Sequence, residues 1–99
     1  MEFDRQSSTL TAYVTGELDH CSAPQIRREL DRMISEPGIR HLVLDLSGMT
    51  FMDSSGIGVI LGRYRLMARR GGDVSVRHMN PHVEKIFLLS GMNQVINII

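Results

Sequence analysis

The stretch His41-Leu42-Val43-Leu44-Asp45-Leu46 most constrains what this chain can fold into. Its apolar residues leave no gap for a solvated face, which suits a strand covered on both sides in a parallel sheet. Parallel neighbours need crossover connections, and the flanking sequence supplies them. Downstream, a helical pattern starts near Ser54–Gly56, continues to about Arg70 and stops at Gly71-Gly72. The strand candidate Val74-Ser75-Val76-Arg77 follows, which completes a strand–helix–strand unit. Upstream, Met1 to Gln6 and Thr9 to Thr15 read as a strand pair joined by a tight turn at Ser7-Ser8. Gly16 to Cys21 reads as a loop.

The next segment carries a helix-start signal, Ser22 followed three residues later by Gln25, with Pro24 tolerated in the first turn. A helix over about Ala23 to Ser35 places Ala23, Ile26, Leu30, Met33 and Ile34 on one core stripe, and Pro37-Gly38 ends it. Asn80-Pro81 reads as the cap and first position of a third helix from about His82 to Leu89, with Gly91 past its end. Val95 to Ile99 closes as a strand. The expected fold class is therefore α/β, a mixed β-sheet flanked by α-helices, in a single domain over residues 1–99.

Charge and cysteine content narrow the function classes. Eleven basic and eleven acidic residues cancel, so the field that would steer the chain to nucleic acid or anionic lipid is missing. No direct nucleic-acid or membrane partner is expected, and no segment approaches the roughly 18 apolar residues that read as a spanning helix. Cys21 is the lone cysteine and cannot form an internal disulfide, and the start Met1-Glu2-Phe3-Asp4-Arg5 does not resemble a secretory leader. Both observations point to a reducing, cytoplasmic setting.

Chemistry concentrates at the start of the second helix. Asp53, Ser54, Ser55 and Gly56 are residues that cap helices and permit a tight entry, which is an adequate structural reason for them. One cap, however, occupies only one hydroxyl, and a second serine is left over. A phosphate on it would meet the free N–H groups and positive dipole end of the helix, worth about 0.3–1 kcal/mol, so modification need not unfold the chain. It would add about −1.5 to −2 charges beside Asp53 and expel a partner docked there by acidic or apolar groups. The helix face opposite the core stripe of Ile57, Ile60, Leu61, Tyr64, Met67 and Ala68 carries Val59, Gly62, Arg63, Leu66, Arg69 and Arg70. Apolar side chains among arginines below the serines read as a partner surface, with a plain solvated face as the bland alternative.

The run Phe51 to Tyr64, FMDSSGIGVILGRY, resembles the signature of bacterial anti-sigma factor antagonists of the STAS family. Thr15 to His20, Ile39 to Leu44 and Leu89 to Met92 resemble further segments of the same family at matching spacings. The resemblance implies a STAS fold and a switch protein that binds an anti-sigma factor with serine kinase activity, releasing a sigma factor. It implies inactivation by phosphorylation on Ser54, the serine directly after the aspartate, and reset by a phosphoserine phosphatase. Asp19, in the matching loop, would lie near Ser54 and contribute to docking. Asp53 would shape the helix entry, Ser55 and Gly56 the turn, and Val59, Gly62, Arg63 and Leu66 the docking face. Likeness to the sporulation branch favours that pathway over general stress. Family members continue into a C-terminal helix, so the last apolar strand is expected to lack that cover here.

Enzymatic readings find less support. No G-x-S-x-G elbow surrounds Ser54, and His20, His41, His78 and His82 are distant in sequence from it. Asp19-His20-Cys21 lacks a second ligand cluster and reads as a polar loop with a half-buried cysteine. Gly56, Gly58 and Gly62 lack the Lys-Ser/Thr ending of a phosphate loop, so no cofactor is expected. The rival non-enzymatic reading is a STAS module that docks in a stress-signalling or transporter-regulating assembly without being phosphorylated.

Overall fold

The two-residue turn Ser7-Ser8, with Ser7 at φ 56°, folds β1 (Glu2–Gln6) antiparallel onto β2 (Thr9–Tyr13). From there the sheet grows by parallel pairing: β2 with β4 (His41–Asp45), β4 with β6 (Asp73–Arg77), and β6 with the short β7 (Asn97–Ile98). In the computed structural model, which describes residues 1–99, the order is therefore β1-β2-β4-β6-β7. A second, two-stranded parallel sheet joins β3 (Gly16–Leu18) to β5 (Met49–Met52). The helices are α1 (Ala23–Ile34), α2 (Ser54–Arg69) and α3 (Pro81–Leu89), and a 3₁₀ turn at Met92–Gln94 precedes β7.

Register decides which side of the main sheet becomes core. Leu10, Leu42 and Val74 align across the strands, as do Ala12, Leu44 and Val76, and all six are fully buried. They share one cluster with Ile26, Leu30 and Ile34 of α1, Val59, Ile60 and Met67 of α2, and Val83 and Phe87 of α3. The three helices thus cover a single face. On the other face Thr9, Thr11 and Tyr13 line a solvent-facing hollow with Asp4, Gln6 and Arg77. The expectation that the His41–Leu46 strand is covered on both sides is corrected here, since its second face carries half-buried Val43 and the carboxylate of Asp45.

Asp45 tolerates burial because its oxygens are satisfied. The Ser47 backbone N–H donates to one oxygen at 3.0 Å, Arg77 Nε to the other at 2.9 Å, and His78 Nδ1 lies 3.0 Å from that same atom. Burial pushes the Asp45 carboxyl up, but these bonds outweigh it and hold the group well below the usual carboxylate range. His78 reaches the carboxylate from a left-handed backbone at φ 61°.

Other elements differ from expectation in instructive ways. Gly16–Leu18 is a strand, and only its non-local pairing with Met49–Met52 makes it one. The closing strand shrinks to Asn97–Ile98, because Met92–Gln94 winds into a 3₁₀ turn that buries Met92 and Ile96. Ile98 and Ile99 stand largely exposed. At the third helix the reading holds in detail: the Asn80 side chain accepts the Val83 N–H at 2.8 Å, Pro81 is the first helical residue, and Gly91 adopts φ 79° past the end.

Candidate functional site

The parallel pairing of β3 with β5 puts Leu18 beside Met52, so Asp19 and Asp53 leave the two strand ends side by side. The Asp53 N–H donates to the Leu18 carbonyl at 3.3 Å, extending the pairing by one bond. Each aspartate then organises a helix entry. Asp53 is the extended N-cap of α2, and its Oδ1 accepts the backbone N–H of Ser55 at 2.8 Å and of Gly56 at 3.4 Å. The aspartate thus does the capping that the sequence left open between it and the serines. Ser54 and Ser55 make no side-chain hydrogen bond within the chain; Ser54 is exposed and Ser55 half-buried.

At the α1 entry the serine is consumed. Ser22 Oγ donates to the Glu17 carbonyl at 2.7 Å and accepts the Asp19 N–H at 3.0 Å. Asp19 Oδ1 takes the Cys21 and Ser22 N–H groups at 3.0 Å each. Those bonds, the Ser22 backbone N–H foremost, lower the Asp19 pKa. The expected Ser22–Gln25 capping box does not form: Ser22 lies in helical φ/ψ and its side chain caps no helical N–H, so the role passes back to Asp19. Cys21 is exposed rather than half-buried.

Gly56 fixes how closely these layers approach. A Cβ there would stand 2.5 Å from Met52 Cγ, 2.8 Å from Leu18 Cγ and 2.9 Å from the Leu18 carbonyl oxygen. The α2 entry can sit directly on β3 and β5 only because this residue has no side chain.

The face of α2 expected to dock a partner is divided by α1. Val59 and Arg63 are each only 6% exposed and belong to the buried side of the helix, while Gly62 and Leu66 are half-buried. Ala68, expected in the core, is exposed. The cause is that α2 packs on the sheet and also alongside α1, which widens and rotates its buried stripe beyond what a single-face reading gives. Arg63 Nε lies 3.0 Å from Asp31 Oδ1 of α1, yet misaligned: Nε, Nη1 and that oxygen all lack a hydrogen bond. Burial pulls the Arg63 pKa down, the Asp31 charge opposes the shift, and the nearby Arg27 charge adds to it. The guanidinium stays protonated all the same.

Between the two helix entries runs a groove of about 470 Å³ lined by His20, Arg27, Ser55, Gly58, Gly62 and Arg63, with Ala23, Pro24 and Val59 completing it. The structure thereby brings together Asp19, Asp53, Ser54 and Ser55 at one rim and Val59, Gly62 and Arg63 in the adjoining groove; Leu66 lies one helical turn further along. Sequence reading missed His20, Arg27 and Gly58, whose proximity depends on α1 lying against α2. The histidines offer the serines no hydrogen bond: His41 meets Asp73 at 2.9 Å, His78 meets Asp45, and His82 stacks on Phe51 at 5.5 Å. No group of His, Cys, Asp and Glu side chains has metal-binding geometry.

Comparison with known proteins adds five findings. The family model described as STAS domain matches residues 1–99. An anti-sigma F factor antagonist of Paenibacillus polymyxa is 38% identical over 98 residues, covering 99% of this chain and 84% of the relative. An anti-sigma-B factor antagonist of Listeria monocytogenes is 26% identical over 95 residues, covering 96% and 82%. Among solved structures, the anti-sigma factor antagonist SpoIIAA in its unphosphorylated form superposes with TM-score 0.84 at 28% identity, over 99% of this chain and 86% of that one. SpoIIAA of Bacillus in the phosphorylated form gives 0.75 at 27% identity, over 99% and 89%.

Proposed function

The chain belongs to the STAS family, and from that premise we propose that it is an anti-sigma factor antagonist whose switch is Ser54. The observation that carries this reading is the state of the α2 entry: Asp53 supplies the cap, which leaves the Ser54 hydroxyl exposed and unbonded. In the dephosphorylated state the rim formed by Asp19, Asp53, Ser55 and Gly56, with the adjoining Val59, Gly62, Arg63 and Leu66, docks the anti-sigma factor and frees the sigma factor. That anti-sigma factor is also a serine kinase and transfers the γ-phosphoryl group of ATP to Ser54 Oγ. A phosphoserine phosphatase reverses the modification, and the cycle runs in the cytoplasm.

The physical logic is local. A phosphate on Ser54 adds about two negative charges next to Asp53 without removing any bond that holds α2. The fold survives, while the negative charge of the rim deepens. The chain is substrate and ligand in this scheme, and its relatives carry names of antagonists, not enzymes.

The deciding experiment is peptide mass spectrometry after incubation with ATP and the cognate anti-sigma factor, paired with binding of Ser54 variants. One phosphate on Ser54, binding kept in Ser54→Ala and weakened at least about 10-fold in Ser54→Asp, is the expected result, each tenfold being about 1.4 kcal/mol. Binding with no phosphorylation would instead favour a docking module that is not modified.

A further inference from the structure

Arg63 presents a problem that the fold leaves unsolved. Its guanidinium is buried at the floor of the α1–α2 groove, and neither Nε nor Nη1 has a hydrogen-bond acceptor. Asp31 compensates the charge at 3.0 Å without aligning to accept a bond. Unpaired donors of this kind are costly, because the group is charged and poorly solvated. A second arginine, Arg27, lines the same groove, so its lining holds two guanidinium groups and no carboxylate, with Asp31 against Arg63 and Asp19 and Asp53 outside at the rim. Space for an acceptor is present as well: a Cβ built on Gly58 or Gly62 meets nothing within 4 Å.

We propose that this groove receives one carboxylate side chain, an aspartate or glutamate of the anti-sigma factor, gripped by Arg63 from below and Arg27 at the side. The proposal rests on the docking reading above and adds what the partner must present. One carboxylate meets the two guanidinium groups that line the groove, and its oxygens accept from Arg27 and from Arg63 Nη2, the Arg63 nitrogen that is not fully enclosed. A phosphate dianion would bring twice that negative charge against Asp31 and the rim carboxylates of Asp19 and Asp53. Ser55 lines the groove and Ser54 precedes it by one residue, so a phosphate on Ser54 stands at the entrance. There it repels the incoming carboxylate and competes for Arg27, which makes loss of binding a charge effect.

The test is equilibrium binding of the cognate anti-sigma factor to the full chain and three variants, with melting curves for each. Arg27→Glu reverses the charge of an exposed side chain, and Gly58→Glu installs the chain's own carboxylate in the groove while improving helix propensity. Both are expected to bind at least 10-fold more weakly than the parent, with unchanged melting for the first and raised melting for the second. Gly58→Gln, of the same size without the charge, is expected to weaken binding less than Gly58→Glu. In the partner, one Asp→Lys or Glu→Lys change is expected to weaken binding to the parent and restore it to Arg27→Glu.

If the parent chain binds and Arg27→Glu and Gly58→Glu bind equally well, the groove proposal is overturned and the docking reading stands. If the charge variants weaken binding but no acidic residue of the partner couples to Arg27, the carboxylate assignment is overturned. A parent chain that does not bind the anti-sigma factor at all removes the docking reading itself.

Discussion

The two helix entries use the same residue types to opposite ends. At α1, Asp19 and Ser22 bond to each other and to the surrounding backbone, so the serine is part of the structure. At α2, Asp53 alone caps the helix, and Ser54 and Ser55 keep their hydroxyls. The difference is not in composition but in which residue takes the N-cap position. An extended aspartate that accepts the first N–H groups frees the serines behind it, whereas the helical φ/ψ of Ser22 turns its hydroxyl back toward the Glu17 carbonyl. A serine with a free hydroxyl is thus one that the cap has made redundant.

This contrast can be broken most severely at Gly56. Gly56→Ala forces a methyl group into Met52 and Leu18, and overpacking of this kind is expected to cost about 2–3 kcal/mol in chemical denaturation. Asp53→Ala removes the α2 cap and is expected to cost about 1–2 kcal/mol, while leaving Ser54 with no new intramolecular partner. The two serines should then separate cleanly: Ser22→Ala is expected to cost about 1 kcal/mol, and Ser54→Ala less than about 0.5 kcal/mol. Equal losses at both serines would erase the distinction. The smallest effect is a pH dependence at the α1 entry. The folded state holds the Asp19 pKa below its unfolded value, so its contribution is complete above an unfolded pKa of about 3.9. It fades as pH falls toward the depressed value, and Asp19→Asn should flatten the acid limb of the stability curve.

Legibility followed the range of the interactions. The three helices, the N-terminal hairpin and β4 and β6 are marked by local signals: apolar periodicity, Asn80-Pro81 at one end and Gly91 at the other. The strand Gly16–Leu18 carries no such mark, since three residues become a strand only when Met49–Met52 arrives beside them. The buried stripe of α2 departs from a single-face helical wheel for the same reason. Val59 and Arg63 look like a free face until α1 packs on them. Of the candidate site, the serines and their aspartate were readable from spacing, whereas the groove with His20, Arg27 and Gly58 exists only in the assembled helix pair.

The β3–β5 pairing also acts as a check on what the proposed switch can report. Asp19 and Asp53 share a rim only when two strands, thirty residues apart in the chain, have found each other in register. Any partner that touches both aspartates tests that pairing before it acts. Copies still folding, or partly unfolded, display the serine sequence but lack the platform around it. On the docking reading proposed above, such copies neither hold the anti-sigma factor nor offer Ser54 for phosphorylation, and the signal counts completed molecules rather than synthesised chains.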